Sequence, residues 1–84
     1  MTMPDYRELV DFIVRRLVTN PDEVRVEAET DDRGVTAVTI RVAPDDVGRV
    51  IGKRGGTINS IRLLAKAAAV KVNDRVEVDI LEDE

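Results

Sequence analysis

The 84-residue sequence contains no cysteine and no histidine. Without cysteine there is no disulfide and no thiolate metal site, which fits a reducing compartment. Without histidine the commonest general base and the commonest metal ligand are both missing. Neither a resident metal nor a cofactor is expected. Carboxylates and lysine alone remain for acid–base chemistry and no pair of acids is singled out, so a binding protein is expected rather than an enzyme. No apolar run approaches the roughly 20 residues that a membrane-crossing helix needs. The first residues, Met1 to Asp5, lack the basic-then-apolar pattern of a signal peptide. These absences predict a soluble, cytoplasmic protein with no membrane association and no small-molecule substrate. The length predicts a single domain spanning residues 1–84.

Charge is present in abundance but unevenly placed. The net charge is −4. Residues 1–46 carry six Lys/Arg against eleven Asp/Glu, and residues 73–84 carry one against six. Between them, residues 47–72 hold Arg49, Lys53, Arg54, Arg62, Lys66 and Lys71 with no acid at all. Local field, more than net charge, decides where a polyanion docks. A solvated helix face is the plainer explanation of a charge cluster, but 26 residues without an acid in so acidic a chain argue for a purpose.

Hydrophobic spacing supplies the elements. Tyr6, Leu9, Val10, Ile13 and Leu17 form one stripe of an amphipathic helix, which Thr19-Asn20-Pro21-Asp22 should end. Val24, Val26 and Ala28 alternate with charged residues as a half-buried strand does. Asp31-Asp32-Arg33-Gly34 is turn chemistry, and Val38, Ile40 and Val42 resume the alternation, so the pair reads as a hairpin. Pro44-Asp45-Asp46 predicts the start of a short helix reaching Ile51, its acids opposing the positive helix end. A second helix is expected from about Thr57 to Lys71, with Ile58, Ile61, Ala65, Ala68, Ala69 and Val72 as its inner stripe. Asn73-Asp74 makes a turn before a last strand on Val76, Val78 and Ile80. Residues 82–84 are expected to fray. The order α-β-β-α-α-β predicts an α+β fold, three helices packed on one face of a three-stranded sheet. The other face would carry Arg25, Glu27, Glu29, Arg41, Arg75, Glu77 and Asp79, a mixed and mostly acidic surface poorly suited to RNA.

The most informative stretch is Val50-Ile51-Gly52-Lys53-Arg54-Gly55-Gly56-Thr57-Ile58-Asn59-Ser60-Ile61. Glycine takes positive φ without strain and lets another backbone approach. Two glycines bracketing Lys53-Arg54 therefore give a tight basic loop, and the helix start that follows favours anions. That combination suits a phosphate backbone. A nucleotide-binding P-loop fits poorly: counted from Gly48, the glycine spacing is one residue short, and Arg54 stands where a magnesium-binding hydroxyl is needed.

The pattern V-I-G-x-x-G-x-x-I-x-x-I, set between two helices with strands on both sides, resembles the K homology (KH) family along nearly the whole chain. The element order is similar to the type II KH fold, and length and layout to the small bacterial KH proteins of the KhpA (YlqC-like) group. The resemblance implies low-specificity binding of about four nucleotides of single-stranded RNA. Gly52, Lys53, Arg54 and Gly55 would clamp its backbone, with Arg49 and Arg62 beside them. Val50, Ile51, Ile58 and Ile61 would line or support an apolar groove for the bases, although Ile58 and Ile61 also lie on the core stripe. It further implies post-transcriptional regulation or RNA chaperoning, self-association, and pairing with a larger KH-containing protein of the Jag or KhpB type. Gly56 departs from the pattern, since relatives often carry a bulkier, frequently basic residue there; a more mobile loop and a weaker contact are expected. The scarcity of aromatics, Tyr6 and Phe12 alone, argues against RRM and OB modules, which stack bases on aromatic side chains.

A second reading is a protein-interaction adaptor whose RNA binding is secondary. Opposite the core stripe of the last helix, Leu63, Ala67 and Val70 form another apolar strip. It is either a dimer face or the well-buried end of the helix.

Overall fold

The computed structural model describes residues 5–81. The expected fraying of residues 82–84, and residues 1–4, lie outside the described residues. The elements run α1 (Tyr6–Leu17), β1 (Arg25–Thr30), β2 (Val35–Arg41), α2 (Val47–Ile51), α3 (Gly56–Val70) and β3 (Arg75–Ile80), with 3₁₀ turns at Pro21–Glu23, Pro44–Asp46 and Lys53–Gly55. The fold is α+β, with the element order and three-stranded sheet of a type II KH domain.

Helix α1 starts where Asp5 accepts a hydrogen bond from the Glu8 amide at 3.0 Å, meeting one of the orphan donors of a first turn. Its buried face is Tyr6, Val10 and Val14, with Ile13 and Leu17 packed partly against the core. The stripe is thus centred on Val14, which the sequence pattern left out. Phe12 points outward with the Arg16 guanidinium 3.6 Å from its ring centroid, a cation–π pair that covers part of an exposed aromatic.

The hairpin closes through the Asp31 carboxylate, which accepts from the amides of Arg33 at 2.9 Å and Val35 at 3.0 Å. The Val35 amide above all, and then the Arg33 side chain, hold the Asp31 carboxyl below its ordinary pKa. Gly34 at φ +80 completes the turn. Strand β2 is central, antiparallel to β1 with Val26 opposite Ile40 and parallel to β3 with Val38 opposite Val78. A parallel pair requires a crossover, and α2, the glycine loop and α3 supply it.

The core joins Val10 and Val14 of α1, Val26, Val38, Ile40, Val76 and Val78 of the sheet, Val50 of α2, and Ile58, Ile61, Ala65 and Ala69 of α3. Ala65 and Ala69 have no side chain beyond Cβ, so α3 can lie close to its neighbours. The expected helix end differs slightly: α3 stops at Val70 and Val72 falls in the following turn, half-buried. Ala28 shares the inward face of Val26, as expected, but is exposed, Val26 being the one covered residue of β1. The seven charged residues assigned to the open sheet face are all exposed.

Candidate nucleic-acid interface

Helix α2 is five residues long and ends at Gly52, whose amide donates to the Gly48 carbonyl at 2.9 Å. Gly52 sits at φ 77, ψ 174, a region that only glycine occupies readily. A Cβ there would also collide with the side chain and backbone of Thr57. The chain then makes a 3₁₀ turn, closed by the Gly55 amide on the Gly52 carbonyl at 3.2 Å. Arg54 (φ 58, ψ 28) and Gly55 (φ 76, ψ 11) are both left-handed. Arg54 is not glycine, so its conformation costs about 1 kcal/mol or more and persists because the loop around it fixes it.

This turn presents Lys53 and Arg54, both exposed. Neither has an ion-pair or hydrogen-bond partner among the described residues. Behind them, α3 begins with no side-chain cap and no acid in its first turn. The Gly56 amide turns back onto the Lys53 carbonyl, and the positive helix end lies next to two unpaired cations. Gly56 proves to be helical, at φ −61, ψ −41, and a Cβ there would meet nothing within 4 Å. Neither its backbone conformation nor crowding requires glycine.

The other predicted site residues divide. Val50, Ile58 and Ile61 are 0%, 5% and 2% exposed, so they support the loop from within the core, while Ile51 is half-buried beside it. Arg49 is exposed, with its Nε 3.7 Å from Asp46. Arg62 is committed to the sheet: its Nε donates to the Val78 carbonyl at 2.9 Å and its Nη1 to Asn59 Oδ1 at 2.9 Å, with Asp79 3.5 Å from Nη2. Leu63 and Val70 are 69% and 74% exposed and Ala67 is exposed too. The second strip is therefore surface rather than a buried helix end, and Leu64, which the spacing did not single out, adjoins it at 53%.

Asp46 stands at the start of α2 as the sequence predicts, but it has a second part that sequence reasoning did not find. It is fully buried. Its carboxylate accepts from the Thr19 amide at 2.9 Å, the Thr19 hydroxyl at 2.8 Å, the Asn20 amide at 3.0 Å and Asn20 Nδ2 at 3.1 Å. These donors, the Thr19 amide foremost, hold its pKa down at about 2 against the opposing effect of burial. Asp46 so pins the segment entering α2 to the turn after α1. Partners 26 and 27 positions away leave no local signal that could have found them.

Among the described residues, no cluster of three His, Cys, Asp or Glu is placed to hold a metal. No helix there is long and apolar enough to cross a membrane. A family model described as KhpA/KhpB, KH domain, matches residues 7–80.

The chain belongs to the KhpA/KhpB KH-domain family.

Among relatives of this KH domain, an RNA-binding protein KhpA from Clostridium acetobutylicum is 44% identical over 75 residues, covering 89% of this chain and 99% of the relative. A protein of the same name from Caldanaerobacter subterraneus is 46% identical over 74 residues, covering 88% and 97%. One from Leifsonia xyli is 42% identical over 71 residues, covering 84% and 90%. Among solved structures, Era in complex with MgGDPNP and a segment of 16S ribosomal RNA superposes with a TM-score of 0.58 at 18% identity. The alignment covers 93% of this KH domain and 31% of the Era chain. At that identity the likeness is one of fold.

Proposed function

We propose that this KH domain binds single-stranded RNA, gripping about four nucleotides through Gly52–Gly55 with low sequence specificity. The observation that carries the reading is the pair of cations, Lys53 and Arg54, without a partner among the described residues, on a strained glycine turn against a helix start with no side-chain cap. Phosphates would meet the Lys53 and Arg54 side chains at the positive end of α3, while Val50, Ile58 and Ile61 hold the turn rigid from below. The relatives named RNA-binding protein KhpA, which this chain matches along nearly their whole length, support the same reading. Binding of this kind, through the backbone and without catalysis, suits a cytoplasmic protein in post-transcriptional regulation or RNA chaperoning, alone or paired with a larger KH-containing protein.

Replacing Lys53 and Arg54 together by Asp tests this. Both side chains are exposed at a loop tip, so thermal stability should shift little while retention of a short unstructured RNA is lost. Unchanged RNA retention would sink the clamp.

A second reading, an adaptor that works mainly by assembling with protein, is favoured by the exposure of Leu63, Leu64, Ala67 and Val70 along α3. Contiguous apolar surface commonly marks an interface. The two roles are compatible, because this strip runs along the helix while the clamp lies at its start.

A further inference from the structure

The strand order leaves β1 and β3 as the edges of the sheet, and the two edges are treated differently. On β3 the outward carbonyl of Val78 is taken by Arg62 and the outward amide of Ile80 by the Asp79 carboxylate at 2.9 Å. Val76 and Val78 are each 4% exposed, so this edge is covered. On β1 the opposite holds. The Asp31 amide donates to the Val35 carbonyl at 2.9 Å, and Glu29 and Glu27 stand opposite Ala37 and Thr39. Odd-numbered residues therefore face β2, and by the alternation of a strand Ala28 and Thr30 turn their N–H and C=O groups away from the sheet. Both residues are exposed. Beside them, on the helix side, lies a hollow of about 390 Å³ walled by Asp5, Tyr6, Arg7, Ala28, Thr30, Gly34, Thr36 and Asp74.

An open edge of this kind is a template for another strand. The side chains of β1 decide which. Glu27 and Glu29 stand out on the open face. A second copy pairing antiparallel about Ala28 would set Glu27 against the partner's equivalent of Glu29, and pairing about Glu27 would set that carboxylate against itself. Like charges directly opposite are destabilising; the Glu27 register also brings Arg25 opposite Glu29, but it pairs through Val26, which is buried. Pairing about Glu29, which uses the exposed Ala28 and Thr30, sets Glu29 against itself and Glu27 against Asp31, so a second copy is disfavoured there. The same two carboxylates favour a strand with Lys or Arg at alternate positions.

We propose that the free edge of β1 is a docking strand for an extended basic segment of a partner protein. The segment adds a fourth strand at Ala28 and Thr30, lays its cations over Glu27 and Glu29, and sets a small side chain in the hollow beside Tyr6 and Asp74. The site lies at the edge away from β3, against which α3 and Arg62 pack, so it is independent of the proposed RNA clamp and the two readings fail separately.

Amide hydrogen exchange on the full chain tests it, with a ten-residue synthetic peptide alternating Lys with Val and Thr as the probe. The peptide should slow exchange at Ala28 and Thr30 about tenfold or more, as strand pairing does, and leave Lys53 to Gly56 unchanged. The double variant Glu27→Lys with Glu29→Lys, altered only at exposed positions, should abolish that protection. Three results would each overturn the proposal. The first is equal binding by the same peptide N-methylated along one backbone edge, which would show charge attraction without strand pairing. The second is protection of Ala28 and Thr30 in the free protein, which would show an edge already occupied. The third is protection of these amides by single-stranded RNA in place of the peptide.

Discussion

At the scale of single residues, the site rests on positions that tolerate no change beside others that do. Gly52→Ala places a Cβ on Thr57 at a positive φ and should destabilise the domain by about 1–3 kcal/mol. Gly56→Lys, four positions later, meets open space at helical angles. It should leave stability equal or up to about 1 kcal/mol higher, by helix propensity, and should tighten RNA binding by adding a cation beside the clamp. Melting curves with an RNA titration on the two variants check the contrast. Asp46→Ala leaves four donors on Thr19 and Asn20 without their buried acceptor, and should lower the melting temperature by roughly 10–20 °C. Its folded pKa of about 2 lies below the ordinary value of 3.8. Its contribution is therefore complete above about pH 4 and lost as pH falls through about 2. The gap in stability between wild type and Asp46→Ala should close over that window; a gap constant down to pH 2 would show that the carboxylate's charge plays no part. The motif residues were legible because glycine spacing and loop charge are local. Asp46 was not, because its donors come from a distant turn.

At the scale of elements, α3 carries two faces with different tasks. Ile58, Ile61, Ala65 and Ala69 bury one face, and Leu63, Ala67 and Val70 stand out on the other. Periodicity found both stripes, but could not say whether the second was core or surface, since an apolar side chain has the same spacing in either setting. The packing of α3 onto the sheet decides it. Because Ala67 is exposed, Ala67→Glu should leave a folded protein, with stability shifted by no more than about 0.5 kcal/mol. If the strip is a self-association face, light scattering should find a wild-type dimer and an Ala67→Glu monomer; a wild type monomeric at high concentration rules out the homodimer. Circular dichroism of the variant guards against the other outcome, since unfolding would mean that Ala67 is part of the core. Arg62 teaches the same lesson in reverse. It belongs to the basic block by sequence, yet its guanidinium is spent on the edge of β3.

At the scale of the whole molecule, an acidic protein of net charge −4 concentrates its cations in the crossover between β2 and β3. If the clamp neutralises three or four phosphates, log K for single-stranded RNA should fall with log[salt] at a slope of about −2 to −3. Duplex DNA should bind more weakly, because its bases are not free to enter a groove. A slope near zero, or equal affinity for duplex and single strand, would count against the clamp. The sequence by itself determined the element order, the hairpin turn, the glycine loop and the position of the basic block. Each is written in spacings of a few residues, where local sterics and periodicity act. Only the tertiary structure decided which cations stay unpaired, that Asp46 is buried, that the second strip of α3 is exposed, and that one sheet edge is covered while the other is open. Those outcomes depend on residues far apart in sequence meeting in space, and no local pattern records which of them will.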